Sequence, residues 1–312
     1  MSSLLTNTSA MTALQNLSMT QKDLTKTQAQ ISSGLAVANA SDNAAYWSIA
    51  TSMRSDVSAL GAVTNALNLG SSVLNTATSA MNGIEDILKR MKADVVTAQT
   101  AGTDKVQVQS DITAQQQSLV SIMNSASFNG VNMLDGSTAT TNIVDSFSRN
   151  GAGTTTTGTL TVSTSGVALG GSGSAGGLLG TTLSLAASSQ GTASTGSGAG
   201  QYAKDSLLAF TLTSATTTTD LSTIATAIDK AITAVTAGAA TLGQYSTTVA
   251  NQLSYTSSLS DAIKSGVGSL VDADMNVAST RLQALQTQQQ LGIQALAIAN
   301  QNSQLILKLF NG

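Results

Sequence analysis

Met53, Asp56, Leu60, Val63, Leu67, Gly70, Leu74, Ala77, Met81, Ile84, Leu88, Met91, Val95 and Ala98 follow one another in alternating steps of three and four. All but Asp56 are non-polar, and no step is missed across more than six heptads. Such a stripe belongs to a long helix that buries one narrow seam against other helices, as in a coiled coil. At about 1.5 Å per residue the helix would be roughly 70 Å long, more than one compact domain needs. The stretch therefore reads as architecture, not as a scaffold for catalysis.

Working outward, composition favours thin helical seams over one thick core. The chain has 312 residues, of which 41% are hydrophobic, 3% aromatic and 9% charged. A typical domain carries about 25% charged residues. Here Ser, Thr, Ala, Gly, Asn and Gln take their place. A net charge of −3 gives no basic patch for nucleic acid. There is no His, Cys or Pro. That leaves no imidazole base, thiol nucleophile or disulfide, and nothing to interrupt a long helix. The first twenty residues lack the apolar block of a cleaved signal peptide, and no run of 18 apolar residues marks a membrane span. An exported chain of this kind would leave without a cleaved signal.

On the N-terminal side, residues 4–35 read as a first helix, with Ala10, Leu17, Leu24 and Ile31 at heptad spacing. Gly34 permits a break, and residues 40–43 supply capping side chains for the long helix. Tyr46 and Trp47, in its first turn, are expected to fill a joint between packed helices. After Ala98, a third helix carries Val108, Ile112, Leu119, Ile122 and Ala126 on one face, with Gln115 intruding. Asn129-Gly130 and Asp135-Gly136 then give hairpin signals.

From Asn150 to Ala203 no residue is charged, and Gly, Ser and Thr dominate. Leu160/Val162, Leu183/Leu185 and Leu208/Phe210/Leu212 alternate with small polar residues, the period of half-buried strands. This predicts a small, loosely cored β-rich module, inserted between two helical halves and removable over about 150–200. No glycine pattern there matches a phosphate loop.

Helical periodicity returns after Asp220. Ile224, Ile228, Ala231, Val235, Gly238, Leu242, Tyr245, Val249, Leu259 and Ile263 form a second seam, interrupted by Gln252 and Thr256. Lys264 to Gly268 reads as a flexible joint. The last helix, about 270–310, has two apolar stripes: Val271, Met275, Ala278, Leu282, Leu285, Gly292, Leu296, Ala299, Ile306, Phe310, and Leu270, Val277, Ala284, Leu291, Ile298, Leu305. A helix apolar on two faces is buried on both. Its own first helix can cover one; a neighbouring copy must cover the other.

Little here suggests chemistry. Asp272-Ala273-Asp274 opens like a calcium loop but lacks its later Gly and Glu, and reads instead as acids at a helix N-terminus. Glu85, Asp86, Lys89, Arg90, Lys92 and Asp94 read as a solvated face laced with salt bridges. No cofactor, metal site or catalytic residue is assigned.

Ile31-Ser32-Ser33-Gly34-Leu35 with Asp42-Asn43-Ala44-Ala45, Phe128-Asn129-Gly130-Val131 with Leu134, Asp272-Ala273-Asp274-Met275, and Ala299-Asn300-Gln301 with Gln304 and Leu307 together resemble the signatures of bacterial flagellin, most closely the alphaproteobacterial ones. The likeness covers about 1–136 and 220–312. Departures stand at Gln30 and Ala36, where many relatives have Arg, at Tyr46-Trp47, and at Asn302-Ser303 in place of a common proline.

The resemblance implies a mainly α fold: a coiled-coil-like bundle made by both chain ends, carrying a small β-rich outer domain. Residues 1–40 and 267–312 would be inner-core helices, 41–136 and 220–266 the two halves of a helical shell, and 137–219 the variable outer domain. It implies a structural subunit, not an enzyme, exported unfolded by the flagellar type III apparatus with a secretion chaperone. The subunit would polymerise extracellularly with copies of itself and with other flagellins, meeting filament-cap and hook–filament junction proteins. A junction protein would share this terminal logic. An enzyme-bearing flagellin would need His-Glu-x-x-His, which a chain without His cannot make. Assembly seams would fall on Leu17, Leu24, Ile31, Val271, Met275, Leu282, Leu291, Leu296, Ile298, Leu305, Ile306 and Phe310. Shell packing would fall on Met53, Leu60, Leu67, Leu74, Met81, Leu88, Leu242 and Val249. The Arg-x-Arg-Glu-Leu motif recognised by the flagellin-sensing Toll-like receptor would fall on Arg90-Met91-Lys92-Ala93-Asp94. There Arg90 is kept, Lys92 keeps only the charge, Ala93 loses a carboxylate and Asp94 adds one, so weak activation is expected.

Overall fold

The computed structural model describes residues 7–137, 139–151, 153–169, 179, 207–208 and 210–310, the side chains of 302–310 excepted. Its elements in order are α1 (Thr8–Ser33), α2 (Ala44–Thr97), α3 (Lys105–Ser125), β1 (Ser127–Phe128), β2 (Val131–Asn132), β3 (Thr140–Arg149), β4 (Thr155–Ser163), α4 (Thr218–Val271) and α5 (Met275–Phe310). Two compact units result, one from residues 1–58 with 260–312, the other from 59–259.

In the second unit the stripe of α2 packs as its spacing predicts. Every stripe position from Leu60 to Ala98 is buried. Facing them in one continuous cluster are Ile112, Leu119 and Met123 of α3, and Ile224, Ile228, Val235, Leu242 and Val249 of α4. By length and composition alone α2 could cross a bilayer, which a search for unbroken apolar runs overlooks. Its seam is instead closed by α3 and α4. The many hydroxyls of these helices are satisfied locally: Thr64, Thr78 and Thr236 each donate to the carbonyl four residues back.

Asn129 (φ 50°) and Gly130 (φ 79°) make the tight turn that joins β1 to β2. Asp135-Gly136 forms no strand pair; Asp135 Oδ1 instead accepts from the Ser137 amide. The longer hairpin, β3 with β4, brings Leu160 and Val162 opposite Ile143 and Thr141. Strand β3 is not anticipated from the sequence, because Asp145 breaks its apolar alternation.

The middle region is inserted between the helical halves as expected, but it is not a loosely cored, removable module, because it shares the helical core. Ile143, Val162, Val167, Leu169, Phe210 and Leu212 are buried in the same cluster as the α2 seam. Excising 150–200 would thus remove β4 and several core side chains. Leu208, Phe210 and Leu212 are buried without forming a strand. Gln115 is half-buried, and its neighbour Gln116 goes deeper into the core, donating to the carbonyls of Leu207 (3.4 Å) and Phe210 (3.0 Å). Leu183 and Leu185 lie outside the described residues.

A second correction concerns residues 264–268. The expected flexible joint is helical, and α4 runs unbroken to Val271. Two helical glycines cost about 1 kcal/mol each relative to Ala, which a helix packed along much of its length absorbs. The chain breaks four residues after Gly268, at Asp272–Asp274.

Candidate assembly interface

The first unit is built on an antiparallel pair, α1 with α5. Asn7 caps α1, its Oδ1 accepting from Ala10 N, while its Nδ2 donates to the Ala299 carbonyl. Gln289 Nε2 donates to Gln21 Oε1 at 2.6 Å. Leu17 lies so close to Gly292 that a Cβ there would stand 3.2 Å from its Cδ1. The inward face of α1 is Leu17, Leu24, Thr27 and Ile31, with Leu24 6% exposed; on α5 it is Ala278, Leu282, Leu285, Leu296 and Ala299, with Leu285 7% exposed.

At one end of this pair the two signature segments meet. Gly34, in the left-handed region at φ 73°, ends α1, with its amide on the Gln30 carbonyl. The carbonyl of Gly34 accepts from Ala273 N (2.9 Å), and that of Val271 accepts from Ala36 N (2.7 Å) and Val37 N (3.3 Å). Beside them Val271 and Val267 pack on Ala50, flanked by Leu35, Met53 and Ile263. Gln30 Nε2 donates to the Ala36 carbonyl at 3.3 Å, so the two positions that depart from the family's Arg are partners. Asp42 Oδ2 accepts from the amides of Asn39 (3.1 Å) and Ala38 (3.2 Å), and its Oδ1 lies 3.5 Å from Lys26 Nζ. The Asn39 amide, with those of Ala38 and the Lys26 charge, holds the carboxyl below its ordinary value against some desolvation. Asn43 Oδ1 caps α2, and Asp274 Oδ1 caps α5 through Asn276 N and Val277 N.

The predicted seam residues before Leu305 can now be placed. Val271 is buried at the joint, and Leu17, Ile31, Leu282 and Leu296 are half-buried between α1 and α5. On the other side of α5, Val277 (62%), Leu291 (58%) and Ile298 (66%) face solvent, as does Met275 (44%). The side chains of Leu305, Ile306 and Phe310 lie outside the described residues. Tyr46 (46%) and Trp47 (38%) are exposed, contrary to the expected joint. Ala50 is the first buried residue of α2. Of the shell residues, Leu60, Leu67, Leu74, Met81, Leu88, Leu242 and Val249 are buried, and Met53 is half-buried.

Sequence reading misses the polar clasps, Asn7 to Ala299, Gln21 to Gln289 and Lys26 to Asp42. Only Asn7, the cap of α1, and Asp42, one of the capping candidates at 40–43, carry a local signal. Among the described residues no three His, Cys, Asp or Glu side chains gather as a metal site would require.

On α2, Met91 belongs to the core, while its neighbours hold other helices. Lys92 Nζ pairs with Asp229 of α4 at 2.7 Å, and Asp94 Oδ2 accepts from Gln115 Nε2 of α3 at 2.6 Å. Arg90 Nε returns to the Asp86 carbonyl, and Ala93 is exposed. Glu85 and Lys89 pair at 2.7 Å, which raises the pKa of Lys89 through hydrogen bonding and charge.

Comparison with known proteins agrees with this geometry. Residues 4–139 match the bacterial flagellin N-terminal helical region, and residues 225–310 the C-terminal helical region. The two matched ranges thus flank the middle and contain both halves of the joint. The chain is 42% identical to Flagellin C of Rhizobium meliloti over 99% of each protein. It is 41% identical to a flagellin of Brucella melitensis biotype 1 over the full length of both. Flagellin A of Rhizobium meliloti is 38% identical, with 99% of this chain and 100% of the relative covered. The chain belongs to the bacterial flagellin family, whose members are structural subunits of the flagellar filament and not enzymes.

Proposed function

We propose that the α1–α5 pair is the element through which this filament subunit joins its neighbours, and that the uncovered stripe of α5 is closed by adjacent copies. The observation that carries this is the contrast across one helix. Leu285 is 7% exposed against α1, while Leu291 and Ile298 are 58% and 66% exposed. Apolar side chains in a row on a single helix face are a contact surface when they are contiguous. Residues 1–40 and 267–312 are then the inner core, 41–136 and 220–266 the shell, and 137–219 the outermost part.

The subunit leaves the cell unfolded through the flagellar type III apparatus with a secretion chaperone. It polymerises outside under the filament cap, beyond the hook–filament junction. Freedom from Cys and Pro suits this route, since neither disulfide pairing nor prolyl isomerisation delays refolding at the tip. The occurrence of several flagellins in Rhizobium meliloti supports co-assembly with sister subunits.

A helix pair with one face uncovered has little tertiary support, so residues 1–35 and 270–312 order on assembly. Hydrogen exchange tests this. The amides of both segments should exchange freely in monomer and be protected in polymer; equal protection in both states would refute it.

A further inference from the structure

Among the described methionines, four are buried and three exposed, with Met53 half-buried. Met81, Met91, Met123 and Met133 are at most 1% exposed, inside the core formed by α2, α3, α4 and the hairpins. Met11, Met19 and Met275, all on α1 or α5, are 64%, 51% and 44% exposed. On α1 the inward positions run Ala10, Ala13, Leu17, Thr20, Leu24 and Thr27. Met11 stands one residue past Ala10 and Met19 two past Leu17, so both lie off the face that α5 covers. With no Cys or His in the chain, these exposed thioethers are the most accessible soft nucleophiles among the described residues.

We propose that Met11, Met19 and Met275 are a modification site for peroxides, and that their oxidation state decides whether a subunit can join the polymer. This rests on the assembly role of α1 and α5 given above. A sulfur lone pair attacks one oxygen of hydrogen peroxide, the O–O bond breaks, and the S–O bond forms as water departs. Sulfur loses two electrons and the peroxide gains them. A thioether asks little of its surroundings and buries readily against Leu and Ile. The sulfoxide carries a strongly polar oxygen that an apolar seam between copies leaves without a donor. Once assembled, the same side chains are shielded, so control acts on the free subunit. A methionine sulfoxide reductase with a dithiol returns the thioether, the dithiol becoming a disulfide as the oxygen leaves as water.

The test uses purified monomer, hydrogen peroxide, and seeds made by salting out the same protein. Peptide mass spectrometry should find Met11, Met19 and Met275 oxidised well before Met81, Met91, Met123 and Met133, and the three should resist in polymer. Oxidised monomer should elongate seeds roughly tenfold more slowly, the loss expected for an unpaired polar group in a buried contact. Reductases for both sulfoxide epimers, with dithiothreitol, should restore the rate. The Met11→Leu, Met19→Leu, Met275→Leu variant should elongate seeds at one rate with or without peroxide treatment, whatever that rate is. Oxidation of the core methionines at equal rate, or of the three in polymer, would overturn the proposal. So would an unchanged elongation rate after oxidation, or a triple variant as sensitive as the parent. Untreated monomer that fails to elongate seeds would overturn the assembly role itself, an outcome separate from these.

Discussion

Leu35 and Asp272 form an isolated antiparallel bridge, joining a residue that follows the first helix to one that precedes the last. Around it, backbone bonds from Ala36, Val37 and Ala273 close the joint without any side-chain chemistry. The residues that shape it are Gly34 for its φ of 73°, Asp42 for the turn it holds at Ala38 and Asn39, and Asp274 for its cap on α5. Two short signatures from opposite chain ends are thus one structural feature.

Asp42 gives this joint its acid sensitivity. Its folded pKa is depressed below 3.8, so its contribution is complete above that value and is lost as pH falls through the lowered one. No His titrates in the range of about pH 5–8, so stability there should be flat as far as imidazole is concerned. The heat-dissociation midpoint of polymer should fall more steeply below about pH 4 for the natural chain than for Asp42→Asn. The variant should start lower at neutral pH. Superimposable profiles would show that the turn contributes nothing.

Gly70 sets the approach of the β3–β4 hairpin to α2. A Cβ there would lie 2.6 Å from Ile143 Cγ2 and 2.7 Å from its Cδ1. Ile143 is buried and stiff at χ1, so it cannot swing aside freely. Gly70→Ala should destabilise the monomer by about 1–3 kcal/mol, less any gain in helix propensity, in urea unfolding. Adding Ile143→Val should return part of the loss. A Gly70→Ala monomer as stable as the parent would place the hairpin elsewhere.

Residues 90–94 bear on host recognition. Lys92 and Asp94 are engaged with Asp229 and Gln115, so neither is a free receptor contact. Monomer should give little signal in a reporter-cell assay for the flagellin-sensing Toll-like receptor. Ala93→Glu with Asp94→Leu should recover some signal, and is best made with Gln115→Met. Otherwise the glutamine, whose Oε1 already lacks a partner, loses its remaining one. Strong activation by the unmodified monomer would contradict this.

How far the sequence foretold these features depends on range. The α2 stripe was readable residue by residue from Leu60 to Ala98, because period and burial express the same helical geometry. Caps at Asn43 and Asp274 were readable for the same local reason. Gly266 and Gly268 misled, since glycine signals freedom only where neighbours leave the backbone unsupported. Strand β3 and the Gln116 bonds depend on partners far along the chain, as does the bond between Ala36 and Val271. Tyr46 and Trp47 look like core residues by type and remain outside it in the single chain.

Seeded elongation by Leu291→Asp with Ile298→Asp tests the central claim most directly. Both side chains are exposed in the single chain, so the variant monomer should keep the circular dichroism and urea midpoint of the parent. A charge buried without a partner between copies costs several kcal/mol, on the order of 3–5. Elongation should therefore cease. A variant that elongates seeds at the parental rate would show that this face of α5 meets no neighbouring copy.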